Sequence, residues 1–263
     1  MWDIEAIDVH AHYGRHTGAE RPWFHDWVSG DLDVVLRRAT AAGTRWTAVS
    51  PLQAVLRHGN EAILAGNAEA AREVAARDGL LQWAVANPRD RRTLDQAAEL
   101  LAAPRCVGVK MHPETDDYPV AEAGRAVFEL AADCGAVVLT HSGDRRSMPE
   151  DFLPLADAFP QVRLILAHLG DARDGDPRHQ VQVAEAARHG NVYVDTAATF
   201  AVHSGLLEWA VDQLGPERIL YGSDSPVFFA PMQRARVEFA EIDDAARRRI
   251  LRDNAAELCG LEA

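Results

Sequence analysis

The sequence predicts a (β/α)8 TIM barrel, one domain over residues 1–263. Three observations lead there. Eight short runs, each almost continuously apolar and rich in Val, Ile and Leu, recur along the chain, as parallel strands buried on both faces do. Amphipathic stretches with helix start and stop signals alternate with them. No linker, repeat or low-complexity segment interrupts the 263 residues, and α/β barrels of about 200–250 residues fold as one domain. The competing architecture is an open doubly wound sheet. It ordinarily carries a Gly-rich phosphate loop after its first strand, where this chain has histidines.

IEAIDVHAH (4–12) is the first strand. Strand geometry turns alternate side chains to one face, so Asp8, His10 and His12 are expected to point together, with Val9 and Ala11 opposite. After a long loop, DLDVVLRRATAAG forms a helix that starts near Ser29 or Asp31 and stops at Gly43. WTAVSP (46–51) is the second strand, followed by the helix NAEAAREVAARDG, with Asn67 as N-cap and Gly79 just past its end. LLQWAVANP (80–88) leads to TLDQAAELLAA, and CVGVKMHP (106–113) to VAEAGRAVFELAADCG, which ends at Gly135. AVVLTHSG (136–143) precedes the shorter MPEDFLPLADAFP. VRLILAHLG (162–170) precedes PRHQVQVAEAARHG, opened by Pro177 and closed by Gly190. NVYVDTAA (191–198) precedes SGLLEWAVDQLG, and RILYGSD (218–224) precedes the last helix, DDAARRRILRDNAAELCG. Caps at the start and Gly at the stop are the asymmetry that helices show.

Composition narrows the function. With 48% hydrophobic and 25% charged residues the chain is ordinary for a globular protein. A net charge of −13 argues against a nucleic-acid or anionic-membrane partner, since both demand basic patches. The three cysteines, Cys106, Cys134 and Cys259, form no disulfide framework and no zinc-finger spacing. No signal peptide and no apolar run of about 18–20 residues is present. A reducing, cytoplasmic setting is expected.

The strand ends carry the chemistry, because barrel enzymes place their sites at the C-terminal mouth. The first strand ends in His10 and His12, the fourth in Lys110, the fifth in His141, the sixth in His168 and the eighth in Asp224. Burying such groups without partners costs several kcal/mol each, and a divalent cation resolves that cost. Imidazoles with a carboxylate suit Zn2+ first, with Mn2+, Fe2+, Co2+ or Ni2+ as alternatives. Cys106 shares a strand face with Lys110 but lies about four rises deeper, far from the mouth.

These motifs, DVHAH, GVKMHP, THSG, AHLGD, YGSDSP and ILRDNAAELCGL, resemble the amidohydrolase superfamily, and most closely its amidohydrolase-related (amidohydrolase 2) branch. That branch includes relatives of aminocarboxymuconate-semialdehyde decarboxylase, lactonases, hydratases and hydrolases. The resemblance covers nearly the whole chain. It implies metal ligation by His10, His12, His141 and Asp224, with Asp224 also handling the proton of a metal-bound water. It implies that His168 is a ligand in a two-metal site, or orients water or substrate in a one-metal site. Lys110 is a carbamate bridging two metals, a cationic anchor for a substrate carboxylate, or a structural rim lysine. One or two ions are compatible with this set.

The loops are read as the substrate wall. YGRHTGAERPWFHDWVSGD (13–31) is too long for a tight turn, and such loops are usually functional. It offers Trp23, either as part of a lid or as packing against a second subunit. Arg145 and Arg173 in the fifth and sixth loops, with His112 after the fourth strand, are expected to bind substrate. The parts list implies a small carboxylated organic substrate, a catalytic Asp224 and His168, and a metal-activated water that hydrolyses an amide, lactone or related C–N or C–O bond. The alternative is a metal-dependent decarboxylase of an aromatic or unsaturated acid. A homodimer fits the family, though no motif marks one.

Overall fold

The computed structural model describes residues 2–17, 22–56, 59–197 and 203–261. Eight parallel strands pair in sequence order, β1 to β8. They are β1 (Ala6–Tyr13), β2 (Thr44–Pro51), β3 (Leu80–Val85), β4 (Cys106–Met111), β5 (Val137–Thr140), β6 (Arg163–Leu166), β7 (Val192–Asp195) and β8 (Ile219–Leu220). The eighth strand closes on the first: Val9 N donates to the Tyr221 carbonyl at 3.0 Å, and Ala11 bridges to Ser225 in parallel. The expected barrel is therefore the observed one.

The helices form the outer layer. They are α1 (Pro22–Trp27), α2 (Leu32–Ala41), α3 (Leu52–Val55), α4 (Asn60–Ala76), α5 (Arg91–Leu101), α6 (Val120–Ala123), α7 (Arg125–Cys134), α8 (Leu153–Ala158), α9 (His179–Ala186), α10 (Leu206–Leu214), α11 (Ala230–Glu238), α12 (Asp244–Arg248) and α13 (Asn254–Cys259). Asp31 caps α2 by accepting from Val34 N, as its side chain type favours. Asn67, however, is no cap: α4 begins at Asn60, and Asn67 lies buried within it. Its amide instead donates to the Val85 carbonyl and accepts from Val85 N, stitching α4 to β3. The helix α11 and the short turns α1 and α3 fall where the sequence reads as loop. None of the described helices is long and apolar enough to cross a membrane.

Two apolar layers position the site. Outward-facing strand residues such as Val109, Val138, Leu164 and Val194 pack under the helices. Ile7, Val9, Trp83, Leu139, Ile165 and Leu220 fill the interior, and Ala255, Ala256 and Leu258 of α13 join that cluster. Gly108 makes this interior possible. A Cβ there would lie 2.2 Å from the Val137 carbonyl oxygen and 2.5 Å from the Trp83 ring. Trp83 pairs with Gly108 and Val85 with Lys110, so the indole lies one layer below the lysine. Its Nε1 donates to the Val9 carbonyl at 2.8 Å.

Strict alternation fails on β1. Its pairing with β2 shifts register between Asp8 and Ala11. Val9 joins the interior cluster, while Ala11 packs outward with Leu32 and Val35. Such irregularities re-aim side chains near active sites. Here the result is that Asp8 does not join the histidines. Its carboxylate accepts from the N–H groups of His10 and Ser223 and from the Ser223 hydroxyl. Burial raises its pKa to about 7 against those bonds.

Candidate active site

β1 ends in two imidazoles whose rings lie edge-on, 5.2 Å between centroids. Each has one nitrogen committed to the protein. His10 Nδ1 lies 2.8 Å from Asp195 Oδ2, at the end of β7. His12 Nδ1 lies 3.0 Å from the Ser50 carbonyl and 3.0 Å from its hydroxyl, at the end of β2. At His10 the carboxylate can only accept, so that ring carries its proton on Nδ1 and presents the lone pair of Nε2. That is the ligand-ready tautomer. His12 Nε2 lies 3.2 Å from Asp224 Oδ1, and His10 Nε2 lies 3.0 Å from Lys110 Nζ.

Asp224 and His168 occupy the left-handed region, at φ 52° and 71°. Such conformations cost of order 1–3 kcal/mol in a non-Gly residue and persist where surroundings over-determine them. They are held here. Asp224 N donates to the His10 carbonyl at 2.7 Å, and His168 N donates to Asp195 Oδ1 at 2.8 Å. Asp195 thus braces two functional residues at once, and Ala197 N donates to it as well. His168 Nε2 lies 3.1 Å from His141 Nδ1, and its own Nδ1 is buried without a partner.

Electrostatics prepare the cluster for a cation. Burial, reinforced by Lys110 and the neighbouring rings, drives the pKa of His10 well below that of ordinary imidazole. Burial does the same at His112 and His168. Burial also pushes Asp224 upward, but the hydrogen bond from His12 and the charges of His10, His12 and His168 overcome it and hold it well below the usual carboxylate range. His10 and His168, held neutral beside an ionised carboxylate, need not shed protons before a cation binds. Burial lowers Lys110 to about 8, opposed by Asp195 and Asp224. Among the described residues two sets bring potential ligand atoms within 4.8 Å of one another: His10, His12 and Asp224, and His10, His168 and Asp195. The His10 tautomer, the charges and the orphaned His168 Nδ1 all fit a divalent metal.

The other expected residues are distributed differently. His141 lines the same cavity, but its Nε2 lies 2.7 Å from Asp144 Oδ2 and it is outside both ligand sets. His112 also lines the cavity, its ring stacked on His141 at 4.3 Å and 6°. Arg145, Arg173 and Trp23 do not line it. The β5 loop closes on itself through Gly143 N to Ser147 O at 2.9 Å and Ser147 N to Asp144 O at 3.0 Å, which leaves Arg145 exposed. Arg173 is tied by its backbone N–H to Gly143 O at 2.7 Å, and its side chain is exposed too. Trp23 stands 54% exposed on α1, its ring against Trp27. Residues 18–21 of that loop lie outside the described residues.

The cavity measures about 160 Å³. Leu52, Val55, Leu56, Val227 and Phe228 give the cavity its apolar lining beside the histidines, and Lys110 is the one lysine or arginine among the described lining residues. Ser50 and Asp195 stand at strand ends of the same mouth, His16 in the loop read as substrate wall and Asp171 in the AHLGD motif, and none of the four was given a role of its own. That position was the available signal for Asp195. Ser50 shared that signal at the end of β2, while what His16 and Asp171 meet is set only once the loops are folded.

A family model described as amidohydrolase matches residues 7–261. The fold is similar to that of 2,6-dihydroxybenzoate decarboxylase from Rhizobium, with a TM-score of 0.73 at 17% identity, covering 98% of this chain and 99% of the other. It is similar to 5-carboxyvanillate decarboxylase from Sphingomonas paucimobilis, TM-score 0.74 at 15% identity, covering 99% and 100%. It is also similar to a dihydroxybenzoic acid decarboxylase from Polaromonas sp. JS666 solved with bound manganese and 2-nitroresorcinol, TM-score 0.72 at 17% identity, covering 98% and 97%. At these identities the likeness is one of fold. No curated protein sequence matches the chain.

Proposed function

The chain belongs to the amidohydrolase family, and from that premise we propose that it is a divalent-metal-dependent decarboxylase of a small aromatic carboxylic acid. The observation that carries this reading is the cavity. Its volume of about 160 Å³ is close to that of a cavity which holds one benzene ring, about 150 Å³. Part of its lining is apolar, and the rest offers a cluster that could hold a metal ion and a single buried lysine. A flat acid of one ring matches that division. Solved relatives of the same fold, whose names state that they act on dihydroxybenzoate and carboxyvanillate, support it. Hydrolysis, the first expectation from the motifs, becomes the second reading.

His10, His12 and Asp224 would hold the metal, with His168 and His141 beside it. When bound, the metal supplies a Lewis acid that orients the substrate's oxygens and withdraws electron density from the ring. Manganese in the Polaromonas relative makes Mn2+ the first ion to test and Zn2+ the second. In the reaction the bond between ring and carboxylate carbon breaks, carbon dioxide leaves, and a proton takes its place on the ring. Lys110 anchors the carboxylate. His168, whose ring lines the cavity, lies beside the substrate. Asp224, ionised in the resting cluster, carries the proton between solvent and the ring carbon. His112, stacked on His141, gives the substrate an edge to pack against.

The test is to load the protein with Mn2+ or Zn2+ and present a panel of hydroxylated benzoates beside aryl lactones and amides. Carbon dioxide release is followed in parallel with hydrolysis. Release of carbon dioxide from a benzoate is expected. Turnover of a lactone or amide with no carbon dioxide from any acid would overturn the reading in favour of hydrolysis.

A further inference from the structure

Asp8 stands in the DVHAH motif, is fully buried, and has no part in the chemistry proposed above. Its surroundings show what it does instead. β8 is only two residues long, Ile219–Leu220. The segment that follows, 221–225, carries Asp224 past β1 outside any regular strand. β1 is itself irregular there, its register with β2 shifting between Asp8 and Ala11. The segments that bear His10 and Asp224 therefore meet where regular pairing gives out.

Individual bonds take over at this joint. Val9 N donates to the Tyr221 carbonyl at 3.0 Å, Asp224 N to the His10 carbonyl at 2.7 Å and His12 N to the Ser225 carbonyl at 2.6 Å. Asp8 adds a side-chain bridge. Its Oδ1 accepts from His10 N and from Ser223 N, each at 3.0 Å. Its Oδ2 accepts from the Ser223 hydroxyl at 2.5 Å, and that hydroxyl accepts in turn from Ser225 N at 3.1 Å. One carboxylate oxygen thus joins the backbone of His10 to the residue beside Asp224. The network reaches both neighbours of Asp224, whose own backbone lies in the left-handed region at φ 52°.

We infer that Asp8 is a positioning residue for the metal site, its shared oxygen fixing the separation of His10 from Asp224. Asp8 belongs to neither ligand set and does not line the cavity, so it acts through the two segments it joins. This inference rests on the reading of His10, His12 and Asp224 as metal ligands and adds what holds two of them in place. The role calls for an oxygen at that point rather than a negative charge. An asparagine oxygen also accepts from two N–H groups, and its amide nitrogen can donate to the Ser223 hydroxyl. A leucine of similar size offers no acceptor.

The experiment is chelator competition for Mn2+ and Zn2+ on the unaltered protein, Asp8→Asn and Asp8→Leu, with the metal-free melting temperature recorded beside it. Asp8→Asn is expected to bind metal within about threefold of the unaltered protein, and Asp8→Leu at least about tenfold more weakly, as loss of an outer partner of metal ligands usually costs. Should Asp8→Leu not fold, Asp8→Ser replaces it with the same loss expected, because its oxygen stops one bond short of the bridge. A Leu or Ser variant that melts lower yet holds metal as tightly as the unaltered protein overturns the inference and leaves Asp8 a residue of stability alone. Asp8→Asn as weak as Asp8→Leu overturns it as well, since charge would then be what matters. If the unaltered protein binds neither ion, the metal reading fails and takes the inference with it.

Discussion

The two sides of the barrel mouth are built differently. On the side of β1, β7 and β8, each functional group is anchored by strand-end residues: His10 by Asp195, His12 by Ser50, Asp224 through its N–H on the His10 carbonyl. These anchors are buried. On the side of β5 and β6, His141 leans on Asp144, whose side chain is 46% exposed, and the loop arginines face solvent. A buried partner fixes a tautomer and a rotamer; an exposed one is screened and worth little. The first side is therefore the rigid side, where the proposed metal ligands sit, and the second is adaptable.

The largest effect should come from the buried side. His10→Ala or Asp224→Ala is expected to reduce bound metal to below about a tenth of an ion per chain and kcat/KM by about a thousandfold or more, removing a ligand and the activation it supports. Elemental analysis with steady-state kinetics checks this. Asp195→Asn, which removes the charge that His10 leans on, should weaken metal affinity by about 10–100-fold, the usual cost of losing a ligand's outer partner, read by competition with a chelator. Metal affinity unchanged in Asp195→Asn would erase the distinction between the two sides.

Lys110 tests the middle of the range. With its pKa at about 8 it is charged below that pH and neutral above, so affinity for a carboxylated substrate should fall as pH rises through about 8. Lys110→Met should abolish that step, and a KM profile over pH 6.5–9.5 reports it. At the small end, Asp144→Asn is expected to change kcat/KM by no more than about threefold, consistent with an exposed pair. Arg145→Met and Arg173→Met should each leave KM within about twofold, since neither side chain lines the cavity. A tenfold rise in KM from either arginine would show that the adaptable side closes over substrate.

The same contrast explains what was legible in the sequence. Strand ends could be read because alternation and barrel geometry leave few choices: His10, His12, Lys110, His141, His168 and Asp224 do line one cavity. Loops could not. Arg145 and Arg173 have the right chemistry for an acid substrate, but where a loop aims its side chains depends on turns such as that closed by Gly143 and Ser147. His16 lies in the loop read as substrate wall and Asp171 in the AHLGD motif, but nothing in their spacing says what their side chains would meet. Asn67 reads as a helix cap from its type and position, yet tertiary packing turned its amide to β3. Asp8 shows the limit of periodicity itself, since one register shift removed it from a face it was expected to share.

Trp83 beneath the histidines has a consequence for how this molecule can change over generations. A flat indole lodged against a residue that has no room for even one more carbon is a floor that cannot be lowered by degrees. Any enlargement of Gly108 collides with the backbone, and shrinking the tryptophan would open a void under the metal ligands. New substrates must therefore be accommodated sideways and from above, by the loops. Descendants of this barrel can change what the rim recognises while inheriting the depth of the chamber unchanged.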